Sequence, residues 1–209
     1  MSVTLRLWFG PLAALLFAAG VIALAMRVPG YSHIHQTVSE IGEVGSPVRA
    51  PFTGLLIAVA VCVLVFASGV RAATKAAGRS SVAAWLLVCM AISAAGVGWF
   101  SSPHPLHNVF GLSELVGYQA PAALALAWRR EPAARSLVGF SWLMFVLIWA
   151  AIGLNLVSLV DPKGALWALE KPVYGLVQRS LFAAFFLWLA GAGLMLRPLA
   201  ARVPVLKTV

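Results

Sequence analysis

Charge is what this sequence has least of. Asp, Glu, Lys and Arg make up 10% of its 209 residues, whereas soluble chains carry about 25%. Hydrophobic residues make up 62%, and the mean hydropathy is +0.95. A soluble domain is excluded. Cysteine is equally scarce: Cys62 and Cys89 offer no disulfide framework and no CxxC pair. Both fall in apolar stretches, where a thiol packs as a small hydrophobe. There is no GxSxG, P-loop, dinucleotide fingerprint or HExxH, so none of those chemistries has a motif to stand on. There is also no internal repeat, which argues against a transporter built from inverted halves.

Apolar length is what the sequence has in quantity. A spanning helix needs about 20 mostly apolar residues, and six stretches supply them. They run over Leu7–Met26, Phe52–Val70, Val82–Phe100, Val109–Trp128, Leu137–Leu159 and Val173–Leu196. The connections are too short for a soluble domain. The sequence therefore predicts an all-α polytopic membrane bundle with residues 1–209 as one domain. Ala23-Leu24-Ala25 mimics a signal-peptide cleavage site. The run before it is about 20 residues, longer than the 7–15 of a signal core, so it is read as a retained first span. Small residues such as Ala94-x-x-x-Gly98 predict close helix approach. They leave a homodimer and a compact monomer equally open.

The few charges are sorted by side. Arg6, Arg71, Lys75, Arg79, Arg129, Arg130, Arg135, Arg197, Arg202 and Lys207 fall at one end of the predicted bundle. Positive residues are retained in cytoplasmic loops, so both termini are expected there. The same retention accounts for a net charge of +9 without nucleic acid as a partner. All four histidines and five of the six acids fall at the opposite end. The exception, Glu131, sits among arginines, where an exposed ion pair needs no functional explanation. Several tryptophans lie near span ends, as in an interfacial belt.

The loops at the acidic end carry the polar content. In the first, from Arg27 to Pro51, Ile34, Val38, Ile41 and Gly45 recur at helical spacing. That predicts a short amphipathic helix at the interface, with His33 and Glu40 on one flank. Ser32, Gln36, Ser39 and Glu43 would face away from the apolar stripe. Gly42, Gly45 and Pro47 would end it. The third loop, SSPHPLHN, leads into the fourth span. A helix beginning near His107 puts Gly111, Glu114 and Tyr118 on the face of that histidine. The sixth span opens VYGLVQRS, which places Gln178 and Arg179 inside the membrane boundary.

Glu114 and Arg179 are the sharpest signal, each about 10 Å below the interface at 1.5 Å per residue. An ionised side chain deep in a span costs about 2.5–3.5 kcal/mol. Opposite signs at matching depth predict that they pair with each other, or each with the first loop. Gly175, one turn before Arg179, leaves room for a neighbour to reach the guanidinium. The plain reading of such a pair is a device that sets helix register. Glu40 has two readings as well. It is a functional carboxylate, or it caps the backbone of Thr37 in the S/T-x-x-E box Thr37-Val38-Ser39-Glu40. His33-x-His35 and His104-x-x-His107 are compatible with metal ligation, with His33, His104 and His107 as ligands and zinc as the candidate. No cofactor is expected in the leading reading, where His107 works metal-free as a hydrogen-bonding or acid–base group.

Thr37-Val38-Ser39-Glu40-Ile41-Gly42 also resembles the I-S-E-L-G-type motif of the family known as domain of unknown function 998. His107 in HNVFGL resembles the family's histidine at the start of the fourth span. Gly175-Leu176-Val177-Gln178-Arg179 resembles its Gly-Leu-x-x-Arg motif. Val38 and Ile41 replace the commoner Ile and Leu, and the third loop lacks the cysteines some members carry. The resemblance implies a six-span prokaryotic membrane protein, placed here in the bacterial inner membrane, with no assigned activity. It nominates Glu40, His107 and Arg179. The function expected from these readings is an outward-facing polar site that binds or modifies a lipid or lipid-linked anionic headgroup. Arg179 would hold the anion with Gln178, Ser39 and His33 nearby, and Glu114 would hold Arg179 or His107 in place. Glu40 and His107 would share acid–base work, which as an enzyme would make it a membrane-embedded hydrolase or transferase. The rival expectations are a scaffold or sensor with a structural charge cluster, and a small-solute transporter.

Overall fold

A computed structural model of the protein describes residues 1–202, and among them all regular structure is helical. The helices are α1 (Val3–Leu7), α2 (Phe9–Ala25), α3 (Arg49–Ala76), α4 (Val82–Trp99) and α5 (Pro105–Gly117). They continue with α6 (Ala120–Trp128), α7 (Arg135–Val160), α8 (Ala165–Glu170) and α9 (Tyr174–Arg202). Six helical stretches are long and apolar enough to cross a membrane: Val3–Ala25, Arg49–Ala76, Val82–Trp99, Pro105–Trp128, Pro132–Val160 and Ala165–Ala201. They correspond one for one to the six predicted spans. Several outrun them. The second continues through Arg71 and Lys75, which were expected in a loop, and Lys75 in its last turn favours the helix C-terminus. Lys207 and Pro204 of the expected tail lie outside the described residues.

α3 runs through the middle, packed against α2, α4 and α9, while α9 also packs on α7. Side-chain volume at the crossings explains why. A Cβ on Gly98 of α4 would come within 2.8 Å of Leu56, and one on Gly193 of α9 within 2.5 Å of the Leu7 carbonyl. Bare glycine lets these backbones close up. Where α7 meets α9, Trp188 is buried and donates its indole N–H to Ser141 at 3.1 Å. Cys62 is buried, whereas Cys89 faces outward.

The fourth span is two helices, not one. α5 ends at Gly117, and α6 begins at Ala120, after two intervening residues, with Pro121 in its first turn. Proline has no N–H to continue the ladder and crowds the preceding turn. The two halves have different neighbours: α6 packs on α7 and α4, and α5 packs on α4.

At the basic end, Arg79 pairs with Glu131 at 2.7 Å and lies over Trp128. Arg197 lies over Trp8. At the other end the three polar loops meet. The Val44 N–H donates to Ser102 at 2.9 Å, Arg49 Nε donates to Ser101 Oγ at 3.2 Å, and His35 Nδ1 donates to the Pro172 carbonyl.

The first of these loops corrects an expectation. The predicted amphipathic helix is absent, and only Ser39–Gly42 forms a short 3-10 turn. The carbonyls of His33, Ile34 and Gln36 accept bonds from α9 instead. The N–H groups of Thr37 and Val38, which would close a helix onto His33 and Ile34, donate to Glu40 and Gln178. Long-range bonding outcompetes the local period.

Candidate functional site

Arg179 straps the first loop onto α9. Its Nη1 is shared among the carbonyls of His33 at 2.8 Å, Gln36 at 2.7 Å and Gly175 at 2.8 Å, and its Nη2 donates to the Tyr31 hydroxyl. The Tyr31 hydroxyl in turn donates to the Thr37 carbonyl at 2.7 Å. Burial raises the Tyr31 pKa above that of free tyrosine, with the Arg179 charge pulling the other way. Gly175 makes the strap possible. A Cβ there would come within 2.7 Å of the His33 carbonyl and 2.8 Å of the Ile34 carbonyl, and closer still to that of Gln36. Next along α9, Leu176 N–H donates to Ile34 at 3.3 Å, and Gln178 Oε1 accepts the Val38 N–H at 2.7 Å.

Glu40 works within the loop. Its Oε1 accepts from the Thr37 N–H and from Thr37 Oγ1, both at 2.8 Å, and its Oε2 accepts from Gln36 Nε2 at 3.0 Å. This is the carboxylate half of the capping box. The other half is not formed as expected, because Thr37 Oγ1 turns to Glu40 and Ser39. His33 lies beside Tyr31 in an edge-on ring contact. Burial first, and the Arg179 charge second, lower its pKa below the usual histidine value.

Beneath the loop the bundle holds a partly open cavity of about 500 Å³. That is within the roughly 300–1,000 Å³ range of small-molecule sites. Phe52, Leu56, Val59 and Val63 of α3 form one wall, and Phe182 and Phe186 of α9 with Phe17 of α2 form another. Phe17 and Phe186 stack with centroids 4.2 Å apart. His107, Gly111, Glu114 and Tyr118 all line it, as their shared helix face predicted. Tyr118 donates its hydroxyl to Glu114 Oε2 at 3.1 Å. Asn155 of α7 donates its amide to the Ala151 carbonyl at 2.8 Å, which leaves Oδ1 as an acceptor. His107 Nδ1 donates to the Phe100 carbonyl at 2.9 Å, so the neutral ring keeps Nε2 as an acceptor. Ser39 and Gln178 complete the polar lining at the loop end.

The matching signature of sequence and fold has a wider counterpart. The sequence model of DUF998, described as a protein of unknown function, matches residues 11–195. The chain belongs to the DUF998 family. No curated protein matches it, and no solved structure does.

In this DUF998 member the nominated residues divide into two groups. Arg179, Glu40 and His33 build the strapped loop, whereas Glu114 and His107 face the cavity, with Ser39 and Gln178 touching both. Glu114 and Arg179 do not pair: among the described residues the ion pair is Arg79–Glu131. Arg179 takes the first-loop partners that were the other expectation, and Glu114 holds neither Arg179 nor His107. Nor are Glu40 and His107 brought together on the cavity. Among the described residues no three of His, Cys, Asp and Glu gather as a metal-holding group. His104 Nδ1 instead caps α5 by accepting the Leu106 N–H at 3.2 Å. Glu170, at the end of α8, is buried at 6% exposure. Tyr31 and Asn155 were not nominated. A lone Asn within the apolar run 137–159 is the signal that could have singled out Asn155, because an amide in a span needs a partner. Tyr31 carried no signal, since its role depends on a residue 148 positions away.

Proposed function

We propose that the cavity binds one amphipathic molecule drawn from the membrane, with its apolar part along the phenylalanine wall and its polar end at Glu114. The observation that carries this reading is which side chains line the cavity. Glu114 is the one carboxyl group among the described lining residues, and no Arg or Lys is among them. Arg179, the expected anion ligand, has both terminal nitrogens committed to the loop.

The groups left over are mostly acceptors: the Glu114 carboxyl group, Asn155 Oδ1 and His107 Nε2. They suit a polar end that donates hydrogen bonds, a hydroxyl or an ammonium. A phosphate would meet a carboxyl group with no cation to offset it, so an anionic headgroup is the class this lining disfavours. The Arg179 strap is structural in this reading, and Glu40 is its cap. With the basic end cytoplasmic, the site faces the outer leaflet.

The test uses purified full-length protein in detergent, wild type and Glu114→Gln, each with a long-chain primary amine, a long-chain alcohol and an alkyl phosphate of equal chain length. Amine and alcohol should raise the unfolding temperature of the wild type, and the phosphate should not. Glu114→Gln should lose most of the amine effect and keep part of the alcohol effect. Stabilisation by the phosphate alone would overturn the reading.

A further inference from the structure

Taking the cavity as the binding site proposed above, we infer that its ligand enters sideways from the bilayer, through a slot between α5 and α7. Three observations converge on that route.

The first is that the loop end is tied down. Val38 and Ser39 lie across the cavity as a roof. The Val38 N–H is tied to Gln178, the Arg179 strap holds the preceding turn, and the Glu40 cap fixes Thr37. Behind the roof, Gly42 is buried so closely on the Phe52 ring that a Cβ there would overlap it. The bond from Val44 to Ser102 joins the first loop to the third. Ligand arriving from water would have to undo several of these bonds together.

The second is the broken fourth span. α6 is held against α7, but above the break α5 packs on α4, and among the described residues it has no comparable packing on α7 or α9. Pro121 and the turn at Tyr118–Gln119 let the two halves diverge.

The third is the rim of that slot. Leu112 of α5 and Leu159 of α7 both line the cavity, yet are 56% and 70% exposed. The outward neighbours Val109 and Val116 are exposed too. An apolar rim on membrane-spanning helices faces hydrocarbon, so the opening is presented to lipid tails and not to water. Gly111 sits on the same rim, lines the cavity and has open space where a side chain would be. The occupant is therefore a hydrocarbon-bearing amphiphile that keeps its tail in the bilayer side of the slot while its donor group reaches Glu114, one turn below Gly111.

The open space at Gly111 supplies the test, because a Cβ there meets nothing within 4 Å and a larger side chain can be built out into the rim. Full-length protein is reconstituted in phosphatidylcholine vesicles with a long-chain primary amine carrying a diazirine in its chain. Labelling of α5, α7 and α9 peptides is followed in time by mass spectrometry, with unlabelled amine as competitor. Gly111→Phe should lose the initial rate of competable labelling and reach the wild-type plateau on long incubation. Glu40→Ala, which loosens the roof without touching the cavity, should leave the rate unchanged. An unchanged rate in Gly111→Phe, or a faster one in Glu40→Ala, would overturn lateral entry in favour of the loop end. Absence of competable labelling in the wild type, at any time, would overturn the binding reading itself and the route with it.

Discussion

Gly175 of α9 and His33 of the first loop meet so closely that a Cβ on the glycine would lie 2.7 Å from the histidine carbonyl. Four residues further along α9, Arg179 donates to that same carbonyl. The glycine sets the distance and the arginine makes the bond. Together they turn a loop rich in polar backbone into a fixed roof over a membrane cavity.

Gly175→Ala should therefore push the loop off α9. Forcing a methyl group against backbone carbonyls costs about 1–3 kcal/mol by the measure of other overpacked sites. A lower unfolding temperature in detergent is expected. Gly139→Ala in α7 is the control: a Cβ there meets nothing within 4 Å. Its effect should be neutral or slightly stabilising, because alanine is the better helix former.

Removal of the guanidinium should expose the carbonyls it serves. Arg179→Met is expected to destabilise by at least about 1–3 kcal/mol, the cost of leaving a buried acceptor unpaired. Arg179→Lys should recover only part of this, since a point charge cannot bridge acceptors as a planar fork does. Glu114 and Arg179 share no partner. In a double-mutant cycle with Glu114→Gln their effects should add to within about 0.5 kcal/mol. Mutual rescue in the double mutant would show a pairing the geometry denies.

Glu40 contributes as a cap. Glu40→Ala should cost about 1 kcal/mol, the usual scale of a lost helix-terminal cap. Glu40→Gln should cost less, because its amide oxygen can still accept the Thr37 N–H. Equal losses in the two variants, read by thermal unfolding, would show that charge and not acceptance is what matters.

His33 gives the loop a pH dependence. Its folded pKa lies below the unfolded value of about 6.5, because burial and Arg179 disfavour the imidazolium. In the window between the two values the unfolded chain binds more protons. The His33 contribution is thus complete above about pH 6.5 and is lost as pH falls toward the lowered folded value. Unfolding temperatures scanned from neutral into acid should fall less steeply for His33→Gln, which keeps the backbone carbonyl bound by Arg179.

Much of this arrangement was legible from residue order. The helical phase that put His107, Gly111, Glu114 and Tyr118 on one face holds, because 3.6 residues per turn is local geometry and α5 keeps it from Pro105 to Gly117. The capping role of Glu40 was equally local, spanning three residues. The predicted first-loop helix failed for the opposite reason. Its pattern was helical, but its carbonyls had better donors on a helix some 140 positions away.

Sequence by itself determined six membrane-length helices, the placing of the histidines and most acids at one end, and the position of Glu114 within a span. Each follows from hydrocarbon thickness and the period of a helix, which act along the chain. Only the tertiary structure decided that Arg179 binds backbone while Glu114 faces a cavity. Only it showed that α5 leaves α7 above the break at Pro121. Depth and charge sign are properties of one helix, whereas a partner is set by how helices rotate and cross. That depends on where glycines such as Gly98 and Gly175 let backbones touch.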